Sequence, residues 1–256
     1  MRCLAFLMMV VFGLPVVASP FSADVVVLGE LHDNSHHHDR QARIVAQLAP
    51  TALVFEMLTG PQALANIPGG GSEALETAFA WENSGWPDFS MYYPIFAAAP
   101  AARVFGAAVP RDAARKAMRD GVAFAFGIGA GSYGLTKPLN PDEQKAREAL
   151  QMAAHCDVMP PEMLPAMVNI QRLRDAELAK MALRAFQLTG GPVVVITGNG
   201  HARLDWGMPV YLARVAPDLK IVTLGQGEDG VPPKGRFDIV EMTPGIDRLD
   251  PCLAFR

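Results

Sequence analysis

Two short motifs, far apart in the chain, carry the same device. Gly29-Glu30-Leu31-His32 ends the apolar run Val25-Val26-Val27-Leu28, and Gly198-Asn199-Gly200-His201 ends the run Val193-Val194-Val195-Ile196-Thr197. Each reads as a buried parallel strand that stops at a glycine and delivers a histidine three residues later. Ligands of open α/β sheets bind outside the carboxyl ends of the strands. Two histidines so placed, with acids and amides beside them, are expected to share one site.

The densest polar stretch follows the first of these strands: Glu30, His32, Asp33, Asn34, His36, His37 and His38, with Gln41 one turn on. Four of the six histidines lie within it. Imidazole and carboxylate are the usual ligands of divalent transition metals. Glu30, His32, His37, His38 and His201 are therefore candidate metal ligands. Glu56 joins them, because it follows the second apolar run, Leu53-Val54-Phe55, which is expected to lie beside the first strand in a simple right-handed βαβ unit and so to end at the same rim. A divalent metal held by His32, His201 and an acid would activate water for hydrolysis. A serine nucleophile is excluded, since no Gly-x-Ser-x-Gly elbow exists. Gly129-Ala130-Gly131-Ser132-Tyr133-Gly134 has dinucleotide-fingerprint spacing, but Pro138 and Pro141 stand where its helix should begin, so it reads as a loop.

These residues need a frame, and the chain supplies one. Candidate strands are Asp24–Leu28, Thr51–Phe55, Arg103–Ala108, Val193–Thr197, Lys220–Leu224 and Phe237–Val240. Candidate helices are His36–Leu48, capped by Asn34-Ser35, then Arg111–Asp120, Asp142–His155, Pro161–Leu188 and Met208–Val215. The alternation predicts an α/β fold, a mostly parallel sheet flanked by helices. Pro61–Gly71 reads as a turn-rich connector and Gly121–Pro141 as a loop or flap. Ser72–Ala99 reads as a helical insertion rich in aromatics: Trp81, Trp86, Phe89, Tyr92, Tyr93 and Phe96. Two readings of that block stand open. One is ordinary core. The other is the lining of a pocket for a flat hydrophobic ligand, with Tyr92 or Tyr93 as a phenolate ligand for ferric haem. Gln171, Arg174 and Asp175 share one helix face, which spacing alone reads as a solvated stripe.

The chain has 256 residues, half of them hydrophobic, enough for one large domain, and a net charge of −4 that excludes a nucleic-acid footprint. Arg2, the apolar run Leu4–Val17 and the exit Val16-Val17-Ala18 read as a signal peptide over residues 1–18, which places the mature domain, residues 19–256, in the periplasm. Cys3 lies too early to carry a lipid after cleavage. Cys156 and Cys252 then remain: a disulfide pair in an exported chain, or two free thiols.

Several of these segments, taken in order, resemble one family. They are Gly29-Glu30-Leu31-His32-Asp33-Asn34, His37-His38 with Gln41, Phe55-Glu56-Met57-Leu58, Gly85-Trp86-Pro87-Asp88-Phe89 with Tyr92 and Pro94, Gln171-Arg172-Leu173-Arg174-Asp175-Ala176, and Gly198-Asn199-Gly200-His201-Ala202-Arg203. They are similar to the ChaN-type haem-binding proteins, within a superfamily that includes the Tiki and TraB-like proteins. The resemblance implies haem binding through a tyrosine, best matched by Tyr92 with Tyr93 as its neighbour. It implies bacterial iron acquisition, with outer-membrane haem-uptake machinery as partner and a homodimer as a further expectation. On that reading Trp86 covers the porphyrin and Arg203 meets the propionates. The wider superfamily implies the alternative, a metal-dependent, peptidase-like hydrolase built on Glu30, His32 and His201. Family members are often lipid-anchored; this chain has no lipobox.

Overall fold

A computed structural model of the chain describes residues 19–250 and 252–253. The signal-like segment, residues 1–18, lies outside the described residues. The β-branched runs become six strands: β1 (Val25–Glu30), β2 (Ala52–Phe55), β3 (Arg103–Gly106), β4 (Val193–Gly198), β5 (Ile221–Glu228) and β6 (Ile239–Thr243). They form one parallel sheet in the order β3-β2-β4-β1-β5-β6. Strands β1, β2 and β4 are buried along their whole length, which explains why they read as unbroken apolar runs and not as alternating ones.

The helices are α1 (Ser35–Leu48), α2 (Gly60–Leu64), α3 (Ser72–Ala78), α4 (Phe89–Ala98), α5 (Arg111–Asp120), α6 (Val122–Phe126), α7 (Pro141–Ala154), α8 (Leu164–Thr189), α9 (Asn199–Ala202) and α10 (Met208–Val215). Two of the expected connectors hold structure. Pro61–Gly71 begins inside α2, because Thr59 and Gln62 close a reciprocal capping box. The Gly121–Pro141 stretch starts with α6 and then packs Tyr133 against Phe126, ring centroids 5.1 Å apart, so it belongs to the core rather than forming a flap.

Side chains alternate across the sheet and feed two cores. Val25, Val27, Val193 and Val195 face α5, α6, α8 and α10. Val26, Leu28, Val194 and Ile196 face α1, α3 and α4 with their aromatics. The helix that follows β1 therefore lies on one face, and the helix that follows the adjacent β4 lies on the other. Connections diverge at that pair of strands, and the divergence opens a crevice at their carboxyl ends, where open α/β sheets bind ligands. Cys156 and Cys252 form a disulfide, with Cα atoms 5.6 Å apart. It ties the segment after α7 to the C-terminal strap, whose Arg248 pairs with Asp33 and Glu228 beside the crevice. Among the described residues, no helix is long and apolar enough to cross a membrane.

Candidate functional site

Both glycine–histidine motifs end at this crevice, and each glycine makes room for the other motif. A Cβ on Gly29 would stand 2.5 Å from Asn199 Oδ1, and one on Gly198 would stand 2.9 Å from His32 Nε2. The paired strands place Glu30 opposite Gly198. The amide of Asn199 then spans the gap, donating to the Gln226 carbonyl at 2.8 Å and accepting from the Gln226 amide at 3.0 Å.

Four of the expected residues come together here in a chain of alternating acids and imidazoles. His32 Nδ1 meets Glu30 Oε1 at 2.8 Å, and its Nε2 lies 3.9 Å from Glu56 Oε2. His201 Nε2 lies 3.5 Å from Glu56 Oε1, and its Nδ1 meets Asp175 Oδ1 at 2.6 Å. Glu56 is thus shared by the two imidazoles, and each imidazole is held from behind by its own acid. Glu56 also accepts from the Thr197 hydroxyl at 2.6 Å and the Gly198 amide at 2.9 Å.

The charges follow from this geometry. Burial opposes ionisation of Glu30 and Glu56, yet both are held below the usual carboxylate range. For Glu30, hydrogen bonds to His32 and His38 and their positive charge outweigh burial. For Glu56, the charges of His201 and His32 do so. Burial opposes charge on His32 as well, but Glu30 and Glu56 raise its pKa to about 9. His201 is raised by Glu56 and Asp175 against the same burial. Burial pushes Asp175 up, and His201 offsets part of that. An ion-paired chain is the result, with buried carboxylates matched to imidazoliums.

Other candidates take structural posts. His37 Nδ1 accepts from the Leu31 amide at 2.9 Å and its Nε2 faces the Gly227 carbonyl at 3.3 Å, so this ring pins the loop. His38 lies fully buried behind Glu30, 3.4 Å away, with its ring 4.3 Å from that of Tyr92. Neither reaches Glu56. Among the described residues, no group of three or more such side chains is arranged to hold a metal ion.

Most of the aromatic block is core. Phe55 and Phe96 stack at 4.3 Å, and Phe79, Trp81 and Phe89 pack around them. Tyr92 is fully buried among them and donates its hydroxyl to Glu30 Oε1 at 2.9 Å. Burial and the Glu30 charge raise its pKa far above that of a free phenol. Tyr93, half-buried, borders a separate cavity of about 150 Å³ with Leu53, Ala102 and Val104, away from the carboxyl ends of the strands. Trp86 is the exception. It stays half-exposed, 4.8 Å from His32.

Two cavities flank the acid–imidazole chain. One, about 430 Å³, is lined by Glu56, Met57, Trp86, Arg111 and Arg174 among others. The second, about 410 Å³, is lined by Leu31, Arg147, Asp175, Arg203 and Trp206 among others. Arg203 does not present a free charge there. It is buried, grips Asp205 at 2.6 and 2.5 Å, and lies 3.6 Å over the Trp206 ring. Sequence reasoning missed two participants on α8. Asp175 and Arg174 looked like a solvated stripe, and the only available signal was their recurrence in a familiar motif.

The family model described as haem-binding uptake, Tiki superfamily, ChaN matches residues 16–212. The chain belongs to the ChaN family. Among solved structures, the ChaN of Campylobacter jejuni, described in the context of cofacial heme binding, aligns with a TM-score of 0.61 at 19% identity, covering 82% of this chain and 84% of that one. The ChaN fold is thereby shared, a mostly parallel α/β sheet. A Bacillus cereus protein also aligns, with a TM-score of 0.35 at 16% identity, covering 81% of this chain and 66% of the other. No curated protein matches the chain.

Proposed function

We propose that this protein binds ferric haem at the carboxyl-end crevice and serves haem or iron acquisition outside the cytoplasm. One observation carries the location: a cavity of about 430 Å³ beside the crevice, at the carboxyl ends of β2 and β3 and walled by the half-exposed indole of Trp86, opens next to the partly exposed imidazole of His32. Ligand cavities of this kind combine an apolar wall with a few placed polar groups, and a flat porphyrin suits an indole wall. Haem supplies the iron chemistry; the protein supplies binding, orientation and charge.

Two side chains compete for the iron. Tyr92 matches the family tyrosine, but its hydroxyl is committed to Glu30, so its ligation requires that bond to open. His32 already reaches solvent, with Nδ1 held by a carboxylate, the arrangement that orients metal-binding imidazoles. Purified protein titrated with hemin tests both. Wild type should give a saturable spectral change, and its absence would refute haem binding. Loss of a tyrosinate spectrum in Tyr92→Phe assigns the phenol, and an unchanged spectrum there with a change in His32→Ala assigns the imidazole. Tyr93→Phe should have little effect. Export to the periplasm rests on the sequence of residues 1–18. A homodimer would bury the exposed edge of a bound haem, and an outer-membrane uptake system would deliver or receive it.

A second reading has one observation in its favour. Both imidazoles are held at Nδ1 by acids and turn Nε2 toward Glu56, so that two ring nitrogens and one carboxylate converge. On that reading a divalent metal drawn between them activates water for hydrolysis. Bound-metal content of protein purified without chelator distinguishes the two.

A further inference from the structure

We propose that Arg111 and Arg174 form a carboxylate clamp that selects ligands carrying two acidic arms. This rests on haem binding at the crevice and names what recognises haem's two propionates there. Both arginines line the same 430 Å³ cavity as Trp86 and Glu56. Arg111 is the first residue of α5, and Arg174 lies in the middle of α8, so two separate elements deliver them. Among the described residues neither donates a side-chain hydrogen bond or forms an ion pair. The contrast with the other arginines near the crevice is sharp. Arg147 is bound to Glu143 and the Trp206 carbonyl, Arg172 to the Gly134 and Lys137 carbonyls, Arg203 to Asp205, and Arg248 to Asp33 and Glu228. Two unspent planar forks in one cavity match two carboxylates, because a guanidinium binds a carboxylate bidentately.

The carboxylate already in the cavity does not remove this preference. Glu56 is matched by His32, His201, the Thr197 hydroxyl and the Gly198 amide. The cavity's uncompensated charge is therefore positive. An indole and two arginines in one cavity fit a flat, apolar ring system bearing acids. A neutral ring, or one with its acids masked, should fill the same space without engaging the arginines.

Affinity measurements on the full chain test this, using hemin, iron-free protoporphyrin and the dimethyl ester of hemin. Arg111→Gln and Arg174→Gln remove the charge while keeping a polar, hydrogen-bonding side chain, and circular dichroism checks the fold. Each variant should weaken hemin binding about tenfold, as expected for loss of one charge-assisted contact. Protoporphyrin should weaken in parallel. Ester binding should be weak in wild type and insensitive to either variant. Equal binding of hemin and its ester, or variants that bind hemin as wild type does, would overturn the clamp while leaving haem binding in place. No hemin binding by wild type would instead remove the reading on which the clamp rests.

Discussion

At the scale of residues, the acid–imidazole chain makes specific demands. Asp175 holds His201 through a 2.6 Å contact in a buried setting. Removing one partner of a buried pair strands the other, at a cost of about 3 to 5 kcal/mol. Asp175→Asn should therefore lower the melting temperature measurably and lower the His201 pKa, read by NMR titration. His32 makes a pH-dependent contribution. Its pKa rises on folding from 6.5 to about 9. A base shifted that way adds stability that is complete below pH 6.5 and lost as pH climbs through 9. Denaturant midpoints of metal-free protein should fall across that window, and His32→Gln should flatten the fall. Gly198→Ala brings a methyl to 2.9 Å from His32 Nε2, so the imidazole must move. We expect a loss of about 1 to 3 kcal/mol from overpacking, measured by urea denaturation. Glu30, His32, Glu56 and His201 were legible in sequence because each follows an apolar run that ends at one rim. Asp175 was not, because nothing in a helix's spacing tells a buried acid from a solvated one.

At the scale of elements, local chemistry sets boundaries well. Asn34 was expected to start α1, and it does: its Oδ1 accepts from the His36 amide at 3.0 Å. The same side chain donates to Glu228 at 2.8 Å and to the Pro244 carbonyl at 3.0 Å. Asn34→Ala should cost about 1 kcal/mol for the cap, and more once those two bonds are lost. Thermal unfolding should show the larger figure, with hydrogen exchange rising at the first turn of α1. The aromatic insertion marks the limit of this kind of reading. Phe89, Tyr92 and Phe96 have a helical spacing that fits core packing and pocket lining equally. Only the placement of α4 over β1 and β2 buries them, while Trp86, in the turn before it, stays at the crevice. Arg203 shows the same limit: its sequence marks it as cationic, but not that Asp205 two residues on consumes the charge.

At the scale of the whole molecule, the parallel α/β architecture was readable from alternating runs, whereas strand order was not: β1 and β2 were expected side by side, but β4, made much later, lies between them. The disulfide was in the same position, since spacing alone does not report proximity. The Cys156–Cys252 link spans a separation of 96 residues. Closing a loop of that length contributes about 4 to 5 kcal/mol in the chain-entropy model. Cys252→Ser should lower the unfolding midpoint accordingly and free the strap that carries Arg248 to Asp33. The central position of β1 has a different consequence, one for the order of events. Its two neighbours, β4 and β5, begin only at residues 193 and 221. Until both have been made, Val25–Leu28 is a sticky ribbon with two open edges, the kind of segment that pairs with the wrong chain. Folding must wait for nearly the whole polypeptide, which makes it slow and vulnerable. That delay leaves both edges of β1 uncovered for most of the chain's synthesis, the interval in which mispairing competes with folding.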